Sequence, residues 1–466
     1  MPGHKRNISG SDFPGLIDEK YASIDFTECE GLDDFHDPKG IIGEAERYAA
    51  GVLGSDETFF LINGSTAGVL SAISATVKQG GKLLLSRGAH KSAYNGMYLR
   101  NITPGYIFSK VLDNPFMEDA VIASDVKKAL DENPDAEAVL IVSPTYEGRL
   151  ADIKSIAEAV HEKGIPLIVD AAHGTHLSFV EGSKADAIRN GADIVIQSVH
   201  KTLPAPTQTA LISVCGDRVD IVSLRRFLSI YQSSSPSYPL MSMIDGSVRY
   251  MEDNADRLLP DFKDSFEKML NRLSLCDKLY MSPAVDDLRE ERADYGKLLV
   301  CTYRSDIDGK GLADILRKKY RIEPEMVNPE YALLMFTVCD VAEGYERVID
   351  ALTEIDRKIG TKDQGALGSK GTEKICDRLG AFSRIKPEVR LGFQKALDGK
   401  FREIELESAS GSVSAAFVYM YPPGSPILAP GELITSEHIE LIKECIFLGM
   451  NIKGIEDNRI RVVKNG

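Results

Sequence analysis

Two short apolar runs, each followed by polar and ionisable residues, constrain the fold of this chain more than any other feature. Leu167–Val169 leads into Asp170-Ala171-Ala172-His173, and Ile194–Ile196 precedes Ser198-Val199-His200-Lys201. Short β-branched runs of this kind are typical of strands buried in a parallel sheet. The carboxyl ends of such strands meet at one edge of the sheet, where open α/β folds bind ligands. We therefore expect the aspartate and the lysine to face one bound molecule.

A carboxylate and an amine held at one site suit the cofactor pyridoxal phosphate (PLP). Lys201 would form a Schiff base with it, and Asp170 would keep the pyridine nitrogen protonated so that the ring can accept electrons. Each residue alone also has an ordinary structural explanation. Asp170 could cap a helix, and Lys201 could be a solvated surface residue. Their order along the chain, each after a strand, favours the cofactor.

The spacing of strand-like and helix-like segments predicts the domain organisation. Their alternation over residues 41–280 predicts a doubly wound α/β domain with a mainly parallel sheet. A further strand, helix, strand, helix set predicts a small α/β domain at 281–360. Residues 361–373 are rich in glycine and charge and predict a linker, followed by a C-terminal α+β domain at 374–466. Residues 1–40 read as an extended arm.

Composition excludes several classes of function. The chain has 466 residues, 27% of them charged, and a net charge of −15 without a basic stripe, so nucleic acid is not an expected partner. No apolar run approaches the roughly 20 residues of a membrane span. The opening residues lack the apolar core of a signal peptide, which predicts a cytoplasmic protein. Seven scattered cysteines without a C-x-x-C pair argue against a zinc site and against a disulfide framework, so no metal is expected.

Other motifs are ambiguous alone. Asn63-Gly64-Ser65-Thr66-Ala67-Gly68 follows a strand and precedes a predicted helix from Val69, so it is either a phosphate-binding turn or a simple helix cap. His90 is either a loop histidine or an aromatic plate on a cofactor ring. The cluster around Asp33 and Asp34 is by default a turn and helix entry rather than a substrate contact. Glu432, after a proline-rich stretch, is either part of the architecture or a ligand-binding carboxylate.

Taken in order, these motifs resemble the bacterial ornithine/lysine/arginine decarboxylases of PLP fold type I, particularly their shorter form. Each motif is weak alone, but the ordered set is specific and covers nearly the whole chain. Relatives usually carry a further stretch before the first motif, which leaves the oligomeric state less defined. The motifs are Pro2-Gly3-His4-Lys5, Leu32-Asp33-Asp34-Phe35-His36, Asn63–Gly68, His90-Lys91-Ser92, Asp170-Ala171-Ala172-His173-Gly174, Ser198-Val199-His200-Lys201, Tyr421-Pro422-Pro423-Gly424 and Pro430-Gly431-Glu432.

The resemblance implies a role for each candidate residue. Lys201 would carry the cofactor, Asp170 would pair with its ring nitrogen, and His90 would stack on its face. His173 would lie near the ring substituents, and Lys201 or His200 would protonate the substrate's α-carbon. The phosphate would be held by Ser65, Thr66, Ser198 and His200, with Ala67 in the same segment.

The resemblance also implies a reaction and an assembly. The expected reaction is decarboxylation of a small cationic amino acid, arginine to agmatine first, with lysine or ornithine as alternatives. Glu432, Asp33 and Asp34 are the candidates for binding the cationic end of the substrate. A homodimer or a higher oligomer is expected. The rival functions are another fold type I enzyme, such as an aminotransferase, and a non-catalytic PLP-binding regulator.

Overall fold

The computed structural model describes residue 4 and residues 18–113, 115–361, 385–420, 426–447 and 449–464. Most of the predicted linker and the prolines of Tyr421–Gly424 therefore lie outside the described residues. The first part of the chain folds, in order, into α1 (Glu19–Ile24), α2 (Ile41–Leu53), β1 (Glu57–Leu61), α3 (Gly64–Thr76), β2 (Lys82–Ser86), α4 (Lys91–Leu99), β3 (Thr103–Ile107), β4 (Val111–Asp113), β5 (Phe116–Glu118), α5 (Ala123–Glu132), β6 (Ala138–Val142), α6 (Ile153–His161), β7 (Leu167–Asp170), β8 (Ile194–Gln197), α7 (Val199–Thr202), β9 (Ala210–Val214), α8 (Ile221–Tyr231) and α9 (Tyr238–Leu273).

The main sheet has the strand order β1-β9-β8-β7-β6-β2-β3 within the described ranges. Its central strands β6, β7 and β8 pair in parallel, as do β2 with β6 and with β3. Strand β9 runs antiparallel to both of its neighbours, β8 and β1. The chain between β8 and β9 carries only the four-residue α7, so it turns back where a parallel crossover would need a longer connection. The sheet is thus mainly parallel, as predicted.

Both faces of this sheet are covered, which explains why its strands are apolar without alternation. Residues of β7, β8 and β9 are buried throughout. Val169 and Val195 join one hydrophobic cluster, while Ile168 and Ile196 join the cluster on the opposite face. Asp170, at the end of β7, reaches a cavity. Ser213, a polar residue inside β9, bonds instead to the Thr58 hydroxyl at 2.8 Å.

Two helix predictions need correction. Helix α3 begins at Gly64 and not at Val69, so the predicted phosphate-binding turn is the first turn of the helix itself. Residues 185–190, predicted as helical, form turns. The Asp186 carboxylate accepts the backbone N–H of Ile188 and an Arg189 N–H, and such local side-chain bonds compete with a helix.

The next part of the chain forms a smaller α/β unit after the 36-residue α9. Its sheet has the order β10-β11-β13-β12 and is antiparallel throughout. Helix α12 packs against α9. The elements are β10 (Tyr280–Ser282), α10 (Val285–Arg289), β11 (Lys297–Cys301), α11 (Gly309–Ile315), β12 (Met326–Asn328), β13 (Tyr331–Met335) and α12 (Ala342–Lys358).

The last part forms a module, here called the C-terminal module (residues 385–464), with its own hydrophobic core around Leu406, Val418 and Ile442. Strand β14 pairs with β18, and β15 lies between β16 and β17. The exact boundaries of the three domains remain a prediction. The elements are α13 (Phe393–Leu397), β14 (Phe401–Glu405), β15 (Val418–Met420), β16 (Pro426–Leu428), α14 (Ser436–Phe447), β17 (Ile452–Lys453) and β18 (Arg459–Val463).

The described cysteines differ in burial, and the described helices can be checked for membrane spans. Cys301 and Cys445 are buried, whereas Cys29 and Cys339 are exposed, so the cysteines are not uniformly core residues. None of the helices in the described segments combines the length and apolar character needed to cross a membrane.

Candidate active site

A cavity of about 390 Å³ lies at the carboxyl ends of β6, β7 and β8. It collects side chains from three parts of the chain: the main sheet, the segment from Ser109 to Val121, and the C-terminal module. The residues predicted for the site that line it are Ser65, Thr66, His90, Asp170, His173, Ser198, His200 and Lys201.

Asp170 and Lys201 reach this cavity from adjacent parallel strands. Asp170 is the last residue of β7, where it pairs in register with Ile196 of β8, and Lys201 follows β8 on the one-turn helix α7. Burial lowers the pKa of Lys201, against the opposing charges of Asp170 and Glu325. A lowered amine pKa favours the unprotonated form, which is the nucleophile. The structure therefore brings together the pair that the sequence predicted.

His173 lies between two lysines. Its Nε2 is 3.0 Å from Lys201 Nζ, and its Nδ1 is 2.8 Å from Lys297 Nζ. The ring also meets the Tyr146 ring edge-on, with 4.9 Å between the centroids. Burial, followed by the charges of Lys297 and Lys201, holds the pKa of His173 well below its usual value. The imidazole is thus neutral at physiological pH.

The start of α3 and the start of α7 form a cradle of hydroxyls. Ser65 Oγ and Ser198 Oγ lie 2.6 Å apart, although 133 positions separate them in the sequence. Within the described residues the N-cap Asn63 makes no side-chain cap bond, and the backbone N–H of Gly64 donates to the carbonyl oxygen of Gln208 at 3.0 Å. The next N–H groups of α3 lie at the helix end, where helical geometry gives them no partner within the helix. His200 is anchored by Nδ1 against the carbonyl oxygen of Thr209, at 2.8 Å. This arrangement fits an anion such as a phosphate.

Ala67 and His90 differ in what they present to the cavity. Ala67 is buried in the first turns of α3, and its side chain does not line the cavity. His90 is the N-cap of α4: its Nδ1 accepts the backbone N–H of Ser92 and lies 2.9 Å from the Ser92 hydroxyl. Because one ring nitrogen is fixed in this way, the orientation of the ring that lines the cavity is fixed too.

The three carboxylates predicted to bind substrate do not line the cavity. Glu432 is 1% exposed and forms a two-pronged ion pair with Arg87, at 2.6 and 3.0 Å. Asp33 accepts backbone N–H groups of Gly40 and Ile42 and so caps α2. Burial acts to raise the pKa of Asp33, but these N–H bonds outweigh it and the pKa is lowered. Asp34 is exposed in the turn before. Their contacts are those of structural residues.

Two other carboxylates, which the sequence did not single out, do line the cavity. Glu118 ends β5, and Glu147 follows the β6 end. Burial, and then the neighbouring Glu147 charge, raises the pKa of Glu118 to about 7; burial also raises the pKa of Glu147. Among the described residues neither forms an ion pair, whereas the adjacent Asp119 is paired with Arg149 at 2.7 Å. Glu147 accepts a hydrogen bond from the Tyr331 hydroxyl at 3.1 Å. Two buried carboxylates on one wall, neither in an ion pair among the described residues, favour a cationic ligand.

The sequence carries weak signals for two residues that it did not single out, Glu147 and Lys297. Glu147 lies five residues beyond the predicted strand 138–142, within the segment where a strand end would meet ligands. Lys297 opens a predicted strand of the small domain. No local pattern distinguishes Glu118, because β4 and β5 are three-residue strands whose pairing is visible only after folding.

Comparison with known proteins agrees with this architecture. The sequence model for the Orn/Lys/Arg decarboxylase major domain matches residues 1–295, and that for the C-terminal domain of the same family matches residues 379–450. An arginine decarboxylase of Bacillus subtilis (strain 168) is 30% identical over 467 residues, covering 100% of this chain and 93% of the relative. The inducible lysine decarboxylase of Escherichia coli (strain K12) is 23% identical over 518 residues, covering 93% of this chain and 71% of the relative.

A solved structure shows the same fold. The lysine decarboxylase of Francisella novicida superposes with a TM-score of 0.86 at 18% identity, covering 100% of this chain and 78% of that one. The fold, with Asp170 and Lys201 placed after two adjacent strands at one cavity, defines the class as PLP fold type I. Within that class, the chain belongs to the Orn/Lys/Arg decarboxylase family. The predicted family and fold class are therefore confirmed, and the protein is an amino-acid decarboxylase of a PLP-dependent family.

Proposed function

We propose that this protein binds PLP through Lys201 and decarboxylates arginine, giving agmatine and carbon dioxide. The observation that carries the proposal is the placement of Lys201 and Asp170 on adjacent strand ends of one cavity. Arginine is favoured because full-length relatives at about 30% identity carry the name arginine decarboxylase. A homodimer or larger homo-oligomer is also expected from the family resemblance.

The residues around the cavity suit PLP in size and chemistry. The hydroxyls of Ser65, Thr66 and Ser198, with His200 and the start of α3, would hold the phosphate. Asp170 would hold a proton on the pyridine nitrogen; an opposite charge within about 4–6 Å shifts a pKa by about 1–3 units. His90 would stack on the ring face. When bound, PLP supplies a carbonyl that links to amines and a ring that accepts the electrons left by the departing carboxylate.

The side chains of the protein then have distinct tasks. Lys201, whose pKa is lowered by burial, provides an unprotonated amine to hold the cofactor and takes up a proton when it is released. Decarboxylation consumes one proton at the substrate's α-carbon, and Lys201 or His200, both on the cavity wall, would deliver it.

Glu118 and Glu147 are the candidates for binding the cationic end of the substrate, in place of the three carboxylates that the sequence suggested. They line the same cavity as Lys201, and a cation between them would offset the burial and the Glu147 repulsion that together raise the pKa of Glu118. Two separate carboxylates suit a planar guanidinium, which donates in a fork, better than a compact ammonium. Lysine remains the second candidate substrate, because lysine decarboxylases are among the relatives.

An aminotransferase is less well supported. Aminotransferases of this fold type normally bind the substrate carboxylate with an arginine, and among the described residues no arginine lines the cavity.

The test is to offer arginine, lysine and ornithine separately to the purified protein with PLP, measuring carbon dioxide and identifying the amine. Agmatine as the main product supports the proposal, and cadaverine or putrescine would change only the substrate. Borohydride reduction should trap PLP on the peptide that contains Lys201. Lys201→Ala should lose both the trapped peptide and the absorption band of lysine-bound PLP; persistence of the band would contradict the role of Lys201.

A further inference from the structure

Lys297 is a buried lysine that the proposed function does not use. It is the first residue of β11, in the small domain, and it is 1% exposed. Its stem is held by close packing, since a Cβ added to Gly148 would lie 2.5 Å from Lys297 Cγ. Its Nζ is 2.8 Å from His173 Nδ1, and His173 Nε2 is 3.0 Å from Lys201 Nζ. Lys297, His173 and Lys201 thus form a hydrogen-bonded row, the amine triad.

Counting hydrogen-bond donors and acceptors limits the protonation states of the amine triad. A neutral imidazole carries one N–H donor and one acceptor nitrogen, and an ammonium can only donate. His173 is neutral because it is buried between two amines. Both hydrogen bonds can therefore exist together only when at least one lysine is an unprotonated amine that accepts the imidazole N–H, so the triad holds at most one ammonium proton.

Either lysine can carry that proton, because carboxylates lie near both ends. Asp294, itself bonded to His176 at 2.8 Å, and Glu147 face Lys297; Asp170 faces Lys201; and Glu325 acts on both. Burial lowers the pKa of Lys297 to about 8, which brings it close to the physiological range. The other titratable groups that face the triad are His90, His200 and Tyr146, whose ring meets that of His173 edge-on.

We propose that Lys297 is a positioning residue that controls the protonation of Lys201 through His173. In one direction, Lys297 Nζ gives a proton to His173 Nδ1 while His173 Nε2 gives its proton to Lys201 Nζ. One N–H bond breaks and one forms at each step, so the ring changes tautomer but not charge, and the net change is one proton moved from Lys297 to Lys201. This inference rests on the proposed function at one point: decarboxylation consumes one proton per turnover, and the proton on Lys201 is available for it.

The proton coupling can be measured without turnover. Full-length protein freed of PLP is treated with trace acetic anhydride from pH 6 to 10, and the acetylated fraction of Lys201 is read by peptide mass spectrometry. Only an unprotonated amine reacts. In Lys297→Met the proton has no other lysine to occupy, so Lys201 acetylation at pH 7 should slow about three- to tenfold, and its pH midpoint should rise. An acetylation rate of Lys201 within twofold of the wild-type rate, with an unchanged pH midpoint, would overturn the proposal.

A mutant cycle separates the relay from direct repulsion between the two lysines. Glutamine at position 173 keeps a donor and an acceptor but cannot exchange tautomers, so His173→Gln alone should also raise the Lys201 midpoint. Adding Lys297→Met in that background should then change nothing further. An equal change in both backgrounds would mean that Lys297 acts through space and would refute the relay.

The matched control is Lys91→Met, which removes an exposed positive charge beside His90 without touching His173 and should leave Lys201 labelling unchanged. Thermal unfolding of each variant checks folding, and His173→Gln carries the test alone if Lys297→Met does not fold. Because labelling needs neither cofactor nor substrate, it tests the relay separately from the proposed function. The labelling result can contradict the relay while decarboxylation is observed, or support the relay while decarboxylation is not observed.

Discussion

At the scale of single residues, the chemistry of the cavity depends on two buried carboxylates that form no ion pair among the described residues. Glu118 and Glu147 are held close enough to raise the pKa of Glu118 to about 7, with burial as the larger cause. Such an arrangement costs free energy in the empty protein and becomes favourable when a cation enters. The specificity of the enzyme should therefore be decided on this wall.

We predict that Glu118→Gln weakens the use of arginine and leaves cofactor binding intact. A hydrogen bond to a charged group contributes about 1.5–3 kcal/mol, so kcat/KM for arginine should fall about 10- to 100-fold. The absorption band of lysine-bound PLP should not change, because Lys201 and Asp170 are untouched. Glu432→Gln is not a suitable control because it breaks a buried ion pair; Asp34→Asn is suitable, since Asp34 is exposed and outside the cavity. Unchanged kinetics in Glu118→Gln would exclude this wall as the substrate site.

At the scale of one element, helix α2 carries a carboxyl group that makes stability depend on pH. Glu46 is 7% exposed and accepts the backbone N–H of Phe60 at 3.0 Å. Burial raises its pKa from 4.5 to about 8, against the effect of that N–H bond. The folded state thus holds a proton that the unfolded state has lost between these two pH values. Stability should be highest below about pH 4.5 for this group and should fall as the pH rises to about 8.

We predict that Glu46→Gln removes this loss, because the amide keeps an acceptor for Phe60 and never ionises. The gain in free energy of unfolding relative to wild type should be near zero at the acidic end and on the order of 5 kcal/mol at the alkaline end, because the pKa of Glu46 rises from 4.5 to about 8 at about 1.4 kcal/mol per unit. Thermal unfolding midpoints across that range measure the effect. Glu44→Gln, an exposed position on the same helix, should leave the pH dependence as in wild type. A Glu46→Gln curve parallel to wild type would contradict the assigned cause.

At the scale of the whole molecule, a buried ion pair joins the C-terminal module to the main domain. Arg87 contacts both oxygens of Glu432 and the carbonyl oxygen of Ile427, and Tyr106 donates to Glu432 at 2.7 Å. Breaking a buried pair by removing one partner costs about 3–5 kcal/mol, because the remaining charge is left unpaired.

We predict that Arg87→Met loosens the module, seen as faster limited proteolysis beyond residue 385 and a lower unfolding midpoint. The double variant Arg87→Met/Glu432→Leu should be less destabilised than the sum of the single changes, since no unpaired charge remains. Arg461→Met removes the half-exposed partner of Glu403 in the same module and should cost less than about 1 kcal/mol. Equal effects of Arg87→Met and Arg461→Met would show that burial of the pair is unimportant.

The sequence correctly predicted which residues lie together where their placement follows directly from the preceding strand. Asp170 and Lys201 follow apolar strands directly, so strand direction alone brings them to one edge. It failed where folding joins distant segments: Lys297 reaches His173 from another domain, and Glu118 sits on a three-residue strand. Glu432 was a candidate for binding substrate because it follows a proline-rich segment. Such a segment indicates a rigid backbone but not where the side chain points, and the Glu432 carboxylate binds Arg87. The start of α3 was missed because Gly64, Ser65 and Thr66 are weak helix formers that occupy the first turn well.

The cavity wall contributed by the C-terminal module has a consequence for how enzymes of this kind diversify. Met420, Leu441, Cys445 and Met450 close the cavity from a unit with its own core, while the strand ends that carry Asp170 and Lys201 belong to another. Drift in a few apolar side chains of roughly the last hundred residues can therefore reshape the space for substrate while the reactive groups stay untouched. Chimeras that exchange this module between relatives offer a direct route to new substrate ranges with the same underlying reaction.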